Sequence, residues 1–426
     1  MGLKMSIVVS HPTGNANVRA VLSALYAAEL LAEFNTTLAF NSEAAWLKYL
    51  PQQVRSEFLR RTFPVAHHKV KTHPVLEAIR LGSKKINLSR AVHLQKWVST
   101  DSVYTSFDKA VASRLTDLVA RYEVKAVYAY EDGALATFKR AKVLGLKCVY
   151  DLPIAYWETS RRLMMEEKER LPQWSGTLDG LSDSEEKLNR KTQEMELADL
   201  VVTPSQFVRD SLPPWSLGKD ITMSPFGSPD VQFYRGNMEK KWDRNLPLRV
   251  LFVGSMTQRK GLGDLFGALK LLRHTPIELI VMGSLQASMD FYRKELPTFN
   301  YEPCRPHQQV LKLMQSCDLL CLPSIVEGRA LVMQEAMSQG LPLVITPNTG
   351  GSDLILEGET GFLVPIQSPE AIAEKLMWFV NNRALIPEMS RKTKEHVKSY
   401  TWDRYGDRIV TSLDINSFNS VRTSRR

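Results

Sequence analysis

The chain has 426 residues, a hydrophobic content of 44% and a formal net charge of +9. This length suggests two or three domains with enough apolar content for real cores, which excludes a disulfide-stapled miniprotein and an intrinsically disordered chain. No apolar run reaches the roughly 20 residues that a membrane-spanning helix needs, and residues 1–5 lead directly into a predicted strand without a signal-peptide core, so we expect a cytoplasmic protein.

Strand and helix patterns alternate from the start of the chain. Apolar runs predict strands at 5–10, 36–40, 126–130, 147–150 and 199–203, with a helix over 18–34 after the first of them. Continuous apolar strands that alternate with helices are typical of a parallel sheet covered on both faces. We therefore expect an α/β first domain over residues 1–215.

Polar residues follow three of these strands. Gly14 and Asn15 follow the first strand and open its helix, Glu131 and Asp132 follow the third, and Asp151 and Tyr156 follow the fourth. Ligands of such sheets bind at the carboxyl ends of the strands, where helix amides also point, so these residues are candidates for binding. Helix capping by Asp132 and core packing by Tyr156 remain open as alternatives.

Positive charge is concentrated in residues 60–98, where basic residues from Arg60 to Lys96 are interleaved with apolar residues from Ile79 to Val98. This pattern fits either an ordinary amphipathic helix with a solvated basic face or a helix that contacts a membrane surface peripherally. Net positive charge indicates anionic partners. Because no recognised nucleic-acid-binding motif accompanies the charge, we do not expect nucleic acid as a partner.

A polar, proline-containing passage over 211–247 predicts a hinge, and a second series of strands follows at 249–253, 278–282, 319–322, 343–346 and 362–364. We expect a second doubly wound domain over 216–398, a terminal helix over 399–413 that crosses back to the first domain, and a frayed tail over 414–426. Since Cys148, Cys304, Cys317 and Cys321 form no C-x-x-C pair, we expect neither a disulfide framework nor a metal site.

Two loops of the second domain carry phosphate-binding features. Gly254 and Ser255 follow its first strand and lead to Arg259 and Lys260. A glycine turn allows close approach of the backbone, and two cations at the end of a strand neutralise a diphosphate. Gly283, at the end of the next strand, allows a similar approach.

Two acids with seven residues between them, Glu327 and Glu335, lie in a strand–turn–helix pattern. Glu327 is predicted at the carboxyl end of the strand and Glu335 one to two turns into the helix, so both carboxylates face one ligand. The intervening backbone amides are unpaired first-turn donors, which suit a pyrophosphate, and they belong to Arg329, Ala330, Leu331 and Val332. Two acids for sugar hydroxyls and an amide cradle for phosphate predict a nucleotide-sugar site.

This arrangement resembles the E-x7-E motif of the retaining glycosyltransferases of family 4, which have the GT-B fold of two Rossmann-like domains facing across a cleft. The segment from Gly254 to Gly261 is similar to that family's G-R-x-x-x-x-K-G, with Lys260 at the lysine and Ser255 at the arginine position. Thr349 to Asp353 resembles its G-G-x-x-E loop. Arg329 and Ala330 replace the aromatic residue and the glycine that most members have after Glu327 and Gly328.

The resemblance implies a hexosyltransferase that moves a sugar from a nucleoside-diphosphate sugar to a saccharide, lipid-linked or other hydroxyl acceptor bound by the first domain. Glu327, Arg259 and Lys260 would be catalytic and Glu335 would bind the ribose. The resemblance implies no metal and no cofactor, and the chain contains no D-x-D sequence. Two alternatives stay open: an inactive protein of the same fold that acts as a binding or assembly subunit, and a nucleotide-sugar epimerase.

Overall fold

The computed structural model describes residues 6–41, 44–85, 99–178, 180–229 and 246–413. A first parallel sheet has the strand order β3-β2-β1-β4-β5-β6-β7. Since the chain moves outward from β1 in one direction and then returns to continue in the other, β1 and β4 flank a topological switch point. Its strands are β1 (Ser6–Ser10), β2 (Leu31–Thr36), β3 (Val70–Thr72), β4 (Val124–Tyr130), β5 (Lys147–Asp151), β6 (Leu200–Thr203) and β7 (Asp220–Met223).

Helices cover both faces of this sheet, and two buried apolar clusters lie between them and the strands. The helices are α1 (Ala16–Ala27), α2 (Gln52–Leu59), α3 (Val75–Lys85), α4 (Thr100–Tyr122), α5 (Leu135–Val143), α6 (Trp157–Arg170), α7 (Glu185–Leu197) and α8 (Gln206–Asp210).

The second sheet repeats the arrangement with the order β10-β9-β8-β11-β12-β13, so its switch point lies between β8 and β11. Its strands are β8 (Leu248–Val253), β9 (Ile277–Met282), β10 (Asn300–Glu302), β11 (Leu319–Leu322), β12 (Leu343–Ile345) and β13 (Gly361–Leu363). Its helices are α9 (Leu262–Leu271), α10 (Met289–Glu295), α11 (His307–Gln315), α12 (Leu331–Ser338), α13 (Pro369–Asn381) and α14 (Ile386–Val397), and α15 (Trp402–Ser412) follows them.

Short 3-10 helices connect these elements at Ala45–Tyr49, His67–Lys69, Pro172–Thr177, Pro214–Ser216, Gln258–Lys260, Pro347–Thr349, Ser352–Leu354 and Arg383–Leu385. The two sheets confirm the predicted architecture of two doubly wound α/β domains.

The prediction of one helix over 18–34 and a strand over 36–40 was wrong. Helix α1 ends at Ala27, Glu29 adopts a left-handed conformation with φ of 57°, and β2 begins at Leu31. A left-handed residue stops a helix because it turns the chain out of the right-handed spiral. The apolar residues after it suited a helix face and a buried strand equally well.

The basic stretch of residues 60–98 does not form one amphipathic helix in its described part. It contains the 3-10 helix His67–Lys69, strand β3 and helix α3, while residues 86–98 lie outside the described residues. In the described part of the chain, no helix is both long enough and apolar enough to cross a bilayer.

The first sheet extends past the predicted boundary at residue 215, because β7 pairs with β6 through Met223. The terminal helix α15 packs back on α1, where a Cβ atom at Gly406 would lie 2.6 Å from Cβ of Ala24. The predicted tail over 414–426 lies outside the described residues.

Candidate functional site

The acid loop and the basic loop meet at the switch point of the second sheet. The basic loop (residues 254–261) follows β8, and the acid loop (residues 323–330) follows the neighbouring strand β11. They are joined by a hydrogen bond from the backbone N–H of Ile325 to the carbonyl oxygen of Arg259, at 2.8 Å. The crevice outside the carboxyl ends of such strands is where doubly wound sheets bind ligands.

Backbone geometry fixes the direction of the basic loop. Gly254 has φ of 153°, and Gly261 has φ of 73° at the end of the 3-10 helix that carries Arg259 and Lys260. A Cβ atom at Gly261 would lie 1.9 Å from the carbonyl oxygen of Pro323, so only glycine fits between the two loops. The hydroxyl of Thr257 accepts a hydrogen bond from the N–H of Lys260 at 3.3 Å.

Glu327 forms the centre of the site with both cations. Its Oε1 lies 2.6 Å from Nη1 of Arg259 and 2.5 Å from Nζ of Lys260. Burial acts to raise the pKa of Glu327, but the charges of Lys260 and Arg259 and their hydrogen bonds outweigh it, so the pKa is lowered. Among the described residues Oε2 has no hydrogen bond, which leaves it available to a ligand hydroxyl.

Of the four backbone amides predicted to face the phosphate, one has a partner. In the described part of the chain the backbone N–H groups of Arg329, Leu331 and Val332 have none, and neither a side-chain cap nor an acid lies in the first turn of α12. The N–H of Ala330, however, donates to the carbonyl oxygen of Thr349 at 3.2 Å. The helix dipole and the amides of Leu331 and Val332 at the start of α12 still favour an anion at this position.

Arg329 is turned into the interior of the domain. Its guanidinium donates to the carbonyl oxygen of Gly350 at 2.9 Å, to Asp353 at 2.7 Å and to Gln334 at 3.0 Å, and it lies over the ring of Tyr400. The side chain is fully buried. In this conformation it ties the acid loop to the following loops and does not reach the crevice.

The second acid lies in the first turns of α12. Glu335 is the fifth residue of that helix, and its Oε1 lies 3.0 Å from Nε2 of His307, the first residue of α11. The hydrogen bond to Glu335 raises the pKa of His307 above its ordinary value, against the opposing effect of burial. The imidazole of His307 is thus hydrogen-bonded to the carboxylate that was predicted to bind the ribose.

The two glycines predicted to approach the donor are packed against each other. A Cβ atom at Gly283 would lie 1.7 Å from the carbonyl oxygen of Gly254. The glycine pair therefore allows the ends of β8 and β9 to pack closely, and Ser255 follows directly in the turn.

In the first domain, buried polar residues lie in the loop after β1 and at the end of β5. Nδ1 of His11 accepts from the N–H of Thr13 at 3.2 Å, and Nε2 has no partner among the described residues. Burial lowers the pKa of His11 to about 3 and raises that of Asp151 to about 7. Asn17 lies 3.5 Å from Asp151. Sequence reasoning noted the loop but did not single out His11.

The other candidates of the first domain have structural partners. The side chain of Asn15 accepts from the N–H of Val18 and caps α1, and Gly14 packs against the ring of Phe63. Tyr156 is fully buried, with its hydroxyl 3.4 Å from that of Thr192.

The acid pair after β4 is neutralised by α7. Glu131 lies 3.1 Å from Nζ of Lys191, and Asp132 lies 3.4 Å from Arg190 and 3.6 Å from Lys187. Asp132 does not cap α5, because the amides at its start bond to Glu194 and Asp108.

The two domains touch at the acid loop. A Cβ atom at Gly328 would lie 1.6 Å from the carbonyl oxygen of Pro153, two residues after Asp151. The hydroxyl of Ser205 donates to the carbonyl oxygen of Gly328 at 2.5 Å. The residue that follows Glu327 therefore packs directly against the first domain.

Among the described residues, no group of three or more His, Cys, Asp or Glu side chains is arranged to hold a metal ion.

Comparisons with known proteins bear on the family of the second domain and on the fold. Residues 237–399 match the family model of the glycosyl transferases group 1. A D-inositol 3-phosphate glycosyltransferase of Corynebacterium glutamicum (strain R) is 27% identical over 247 residues, which cover 52% of this chain and 59% of the relative. The chain spans about half the length of the curated relatives it matches, such as 44% and 59% of two of them.

Solved structures match nearly the whole chain. Sucrose-phosphate synthase from Thermosynechococcus elongatus superimposes with a TM-score of 0.61 at 16% identity, covering 98% of this chain and 100% of that one. HepE of Anabaena in complex with UDP gives a TM-score of 0.58 at 15% identity, covering 96% and 99%. The predicted GT-B fold is confirmed.

Proposed function

We propose that this protein is a retaining glycosyltransferase that moves a sugar from a nucleoside-diphosphate sugar to a hydroxyl acceptor. The observation that carries the proposal is the contact of Glu327 with Arg259 and Lys260 at the switch point of the second sheet. The match to glycosyl transferases group 1 includes both loops and α12, and UDP is bound by the Anabaena structure with the same fold.

When the donor binds, its diphosphate replaces Glu327 as an ion-pair partner of Arg259 and Lys260. The diphosphate lies between Arg259 and Lys260 on one side and the amides of Leu331 and Val332 on the other, where charge and helix dipole both favour an anion. Glu327 is then released from part of its ion pairing. Its carboxylate accepts hydrogen bonds from hydroxyls of the transferring sugar, which positions the anomeric carbon.

In the transfer step the bond from the anomeric carbon to the phosphate oxygen breaks and the acceptor oxygen forms the new bond on the same face. The acceptor proton passes to the departing phosphate oxygen, so no protein base is required. Arg259 and Lys260 stabilise the negative charge that grows on the diphosphate. No metal or cofactor takes part in this proposal.

The acceptor is a saccharide or lipid-linked hydroxyl compound that enters from the first domain. Asp151 is buried and lies two residues before Pro153, which contacts the acid loop, while His11 is buried in the loop after β1 that also carries Gly14 and Asn15. We assign acceptor positioning to this side, since the acid loop meets it at Pro153.

Nucleotide binding tests the donor site directly. Purified protein is expected to gain thermal stability with one of UDP, GDP and ADP, because a ligand that binds only the folded state stabilises it. Glu335→Ala is expected to abolish most of that gain through loss of the ribose contact. Glu388→Ala is the matched control, because Glu388 also carries an ion pair but lies exposed on α14. No gain with any nucleotide would contradict the proposal.

Donor binding is also expected to depend on pH through His307. Below its raised pKa, protonated His307 holds Glu335 most strongly, so the ribose competes poorly; above it the neutral ring is displaced more easily. The Kd for the nucleoside diphosphate should therefore fall as pH rises from about 6 to about 9. His307→Gln, which cannot titrate, should give a flat profile measured by calorimetry. A wild-type profile that is equally flat would contradict the competition.

A nucleotide-sugar-binding subunit without turnover is the second candidate. It is favoured by the engagement of the Arg329 guanidinium with Asp353, which keeps this side chain away from the crevice. Saturable nucleotide binding without transfer to any hydroxyl acceptor would support it. Conversion of the donor sugar in the absence of an acceptor would instead identify an epimerase.

A further inference from the structure

One segment that connects two strands of the first domain packs against the second domain. The bridging segment (residues 157–177) comprises α6 and the 3-10 helix Pro172–Thr177, and it lies in the chain between β5 and β6 of the first sheet. Trp174 nevertheless belongs to the apolar core of the second domain. Its ring contacts those of Phe266, Phe291 and Tyr292, with centroids 5.0 to 5.8 Å apart.

A buried polar network joins this segment to the basic loop. Glu167 accepts hydrogen bonds from Arg170, from Nε2 of Gln258 at 2.7 Å and from Nε2 of Gln367 at 2.6 Å. Asp264 accepts from Arg170 at 2.8 Å and from Nε2 of Gln258 at 2.9 Å. The Gln258 amide is thus shared between a carboxylate of each domain.

Gln258 is held at each of its other polar groups as well. Its backbone N–H donates to the hydroxyl of Thr177 at 3.0 Å, and its Oε1 accepts from the N–H of Gly263 at 2.9 Å. The residue is fully buried and directly precedes Arg259 and Lys260. Hydrogen bonds to charged groups in a buried setting are stronger than those in water, so the network restricts the loop.

The same segment packs on the acid loop. Leu163 and Met164 of α6 form one buried cluster with Ile325 and Val326, and Val326 directly precedes Glu327. One element of the first domain therefore contacts both loops that form the ion-paired centre of the site.

We propose that Gln258 is a positioning residue through which the bridging segment holds Arg259 and Lys260 ready for the diphosphate before the donor arrives. The inference rests on the proposed function and extends it. Cations already held in place lose little freedom when the ligand binds, so more of the charge interaction appears as affinity. The first domain is in this way part of the donor site.

Gln258→Met and Gln367→Met form a matched pair that tests this. Each substitution removes one amide that donates to Glu167, but only Gln258 lies in the basic loop. Gln258→Met should lose more thermal stability, because its amide also bonds to Asp264 and to the N–H of Gly263, so the comparison rests on the ratio of two affinities of the folded protein. In the wild type the nucleoside diphosphate should bind more tightly than the monophosphate. In Gln258→Met we expect that preference, measured by calorimetry for UDP, GDP and ADP and their monophosphates, to shrink about tenfold, with no change in Gln367→Met.

A second variant covers the case in which Gln258→Met does not fold. Thr177→Val removes the hydroxyl that accepts from the N–H of Gln258 and preserves the shape of the side chain. It should reduce the diphosphate preference in the same direction. An unchanged preference in Gln258→Met and Thr177→Val, or an equal loss in Gln367→Met, would overturn the inference. Failure of the wild type to bind any nucleotide would instead overturn the proposed function, and this inference with it.

Discussion

Glu327→Gln is expected to lower kcat for sugar transfer by about two to three orders of magnitude without weakening the binding of the nucleoside diphosphate. The amide has nearly the shape of the carboxylate but carries no charge, so it holds the sugar hydroxyls and the oxocarbenium-like state less well. It also no longer neutralises Arg259 and Lys260, which lie 2.6 and 2.5 Å from Oε1 of Glu327. The diphosphate therefore meets less competition for both cations.

Calorimetry with the preferred nucleoside diphosphate and initial rates with its sugar would separate these two effects. The variant should also show a larger rise in Tm with the nucleotide than the wild type, because the ligand restores an anion to two cations that have lost theirs. Loss of nucleotide binding together with loss of activity would show instead that Glu327 maintains the loop.

Lys260→Met should lower kcat/KM by about two to three orders of magnitude and weaken diphosphate binding as well. The methionine retains an apolar stem in place of the lysine stem, whose Cε would lie 3.4 Å from a Cβ atom built at Gly254. Only the charge is removed. The expected loss affects both binding and turnover, since the diphosphate is negative in the ground state and gains charge as it departs. Arg259 is less suitable for this experiment because it also donates to the carbonyl oxygen of Val326.

Lys270→Met provides the control for Lys260→Met. Lys270 forms an exposed ion pair with Glu295 on the same domain, so the same substitution there should leave transfer and binding unchanged. If Lys260→Met retained wild-type kcat/KM in initial-rate measurements, the assignment of Lys260 to diphosphate stabilisation would be contradicted.

Local patterns in the sequence were sufficient for the strands of the second sheet other than β10 and for the two loops that follow β8 and β11. Strands such as β8 and β11 are buried on both faces, so they can be recognised in the sequence as continuous apolar runs. The carboxyl end of such a strand in a doubly wound sheet faces the crevice, which is why the sequence predicts that Glu327, Arg259 and Lys260 lie close together. The end of α1 was missed because apolar residues after Glu29 fit both a helix and a strand.

Only the tertiary structure decided how the side chains in and around those loops are used. Arg329 belongs to the acid loop, yet its guanidinium donates hydrogen bonds to Gly350 and Asp353. No local sequence pattern predicts these contacts. Likewise, Glu167 and Gln258 are 91 residues apart and meet at 2.7 Å because a segment of the first domain packs into the core of the second. Periodicity and turn chemistry act over a few residues, whereas a buried polar group takes the partner that the packing of distant elements brings to it. The sequence by itself therefore determined the fold class and the two loops that carry Glu327, Arg259 and Lys260, and long-range packing decided which partners the side chains around them have.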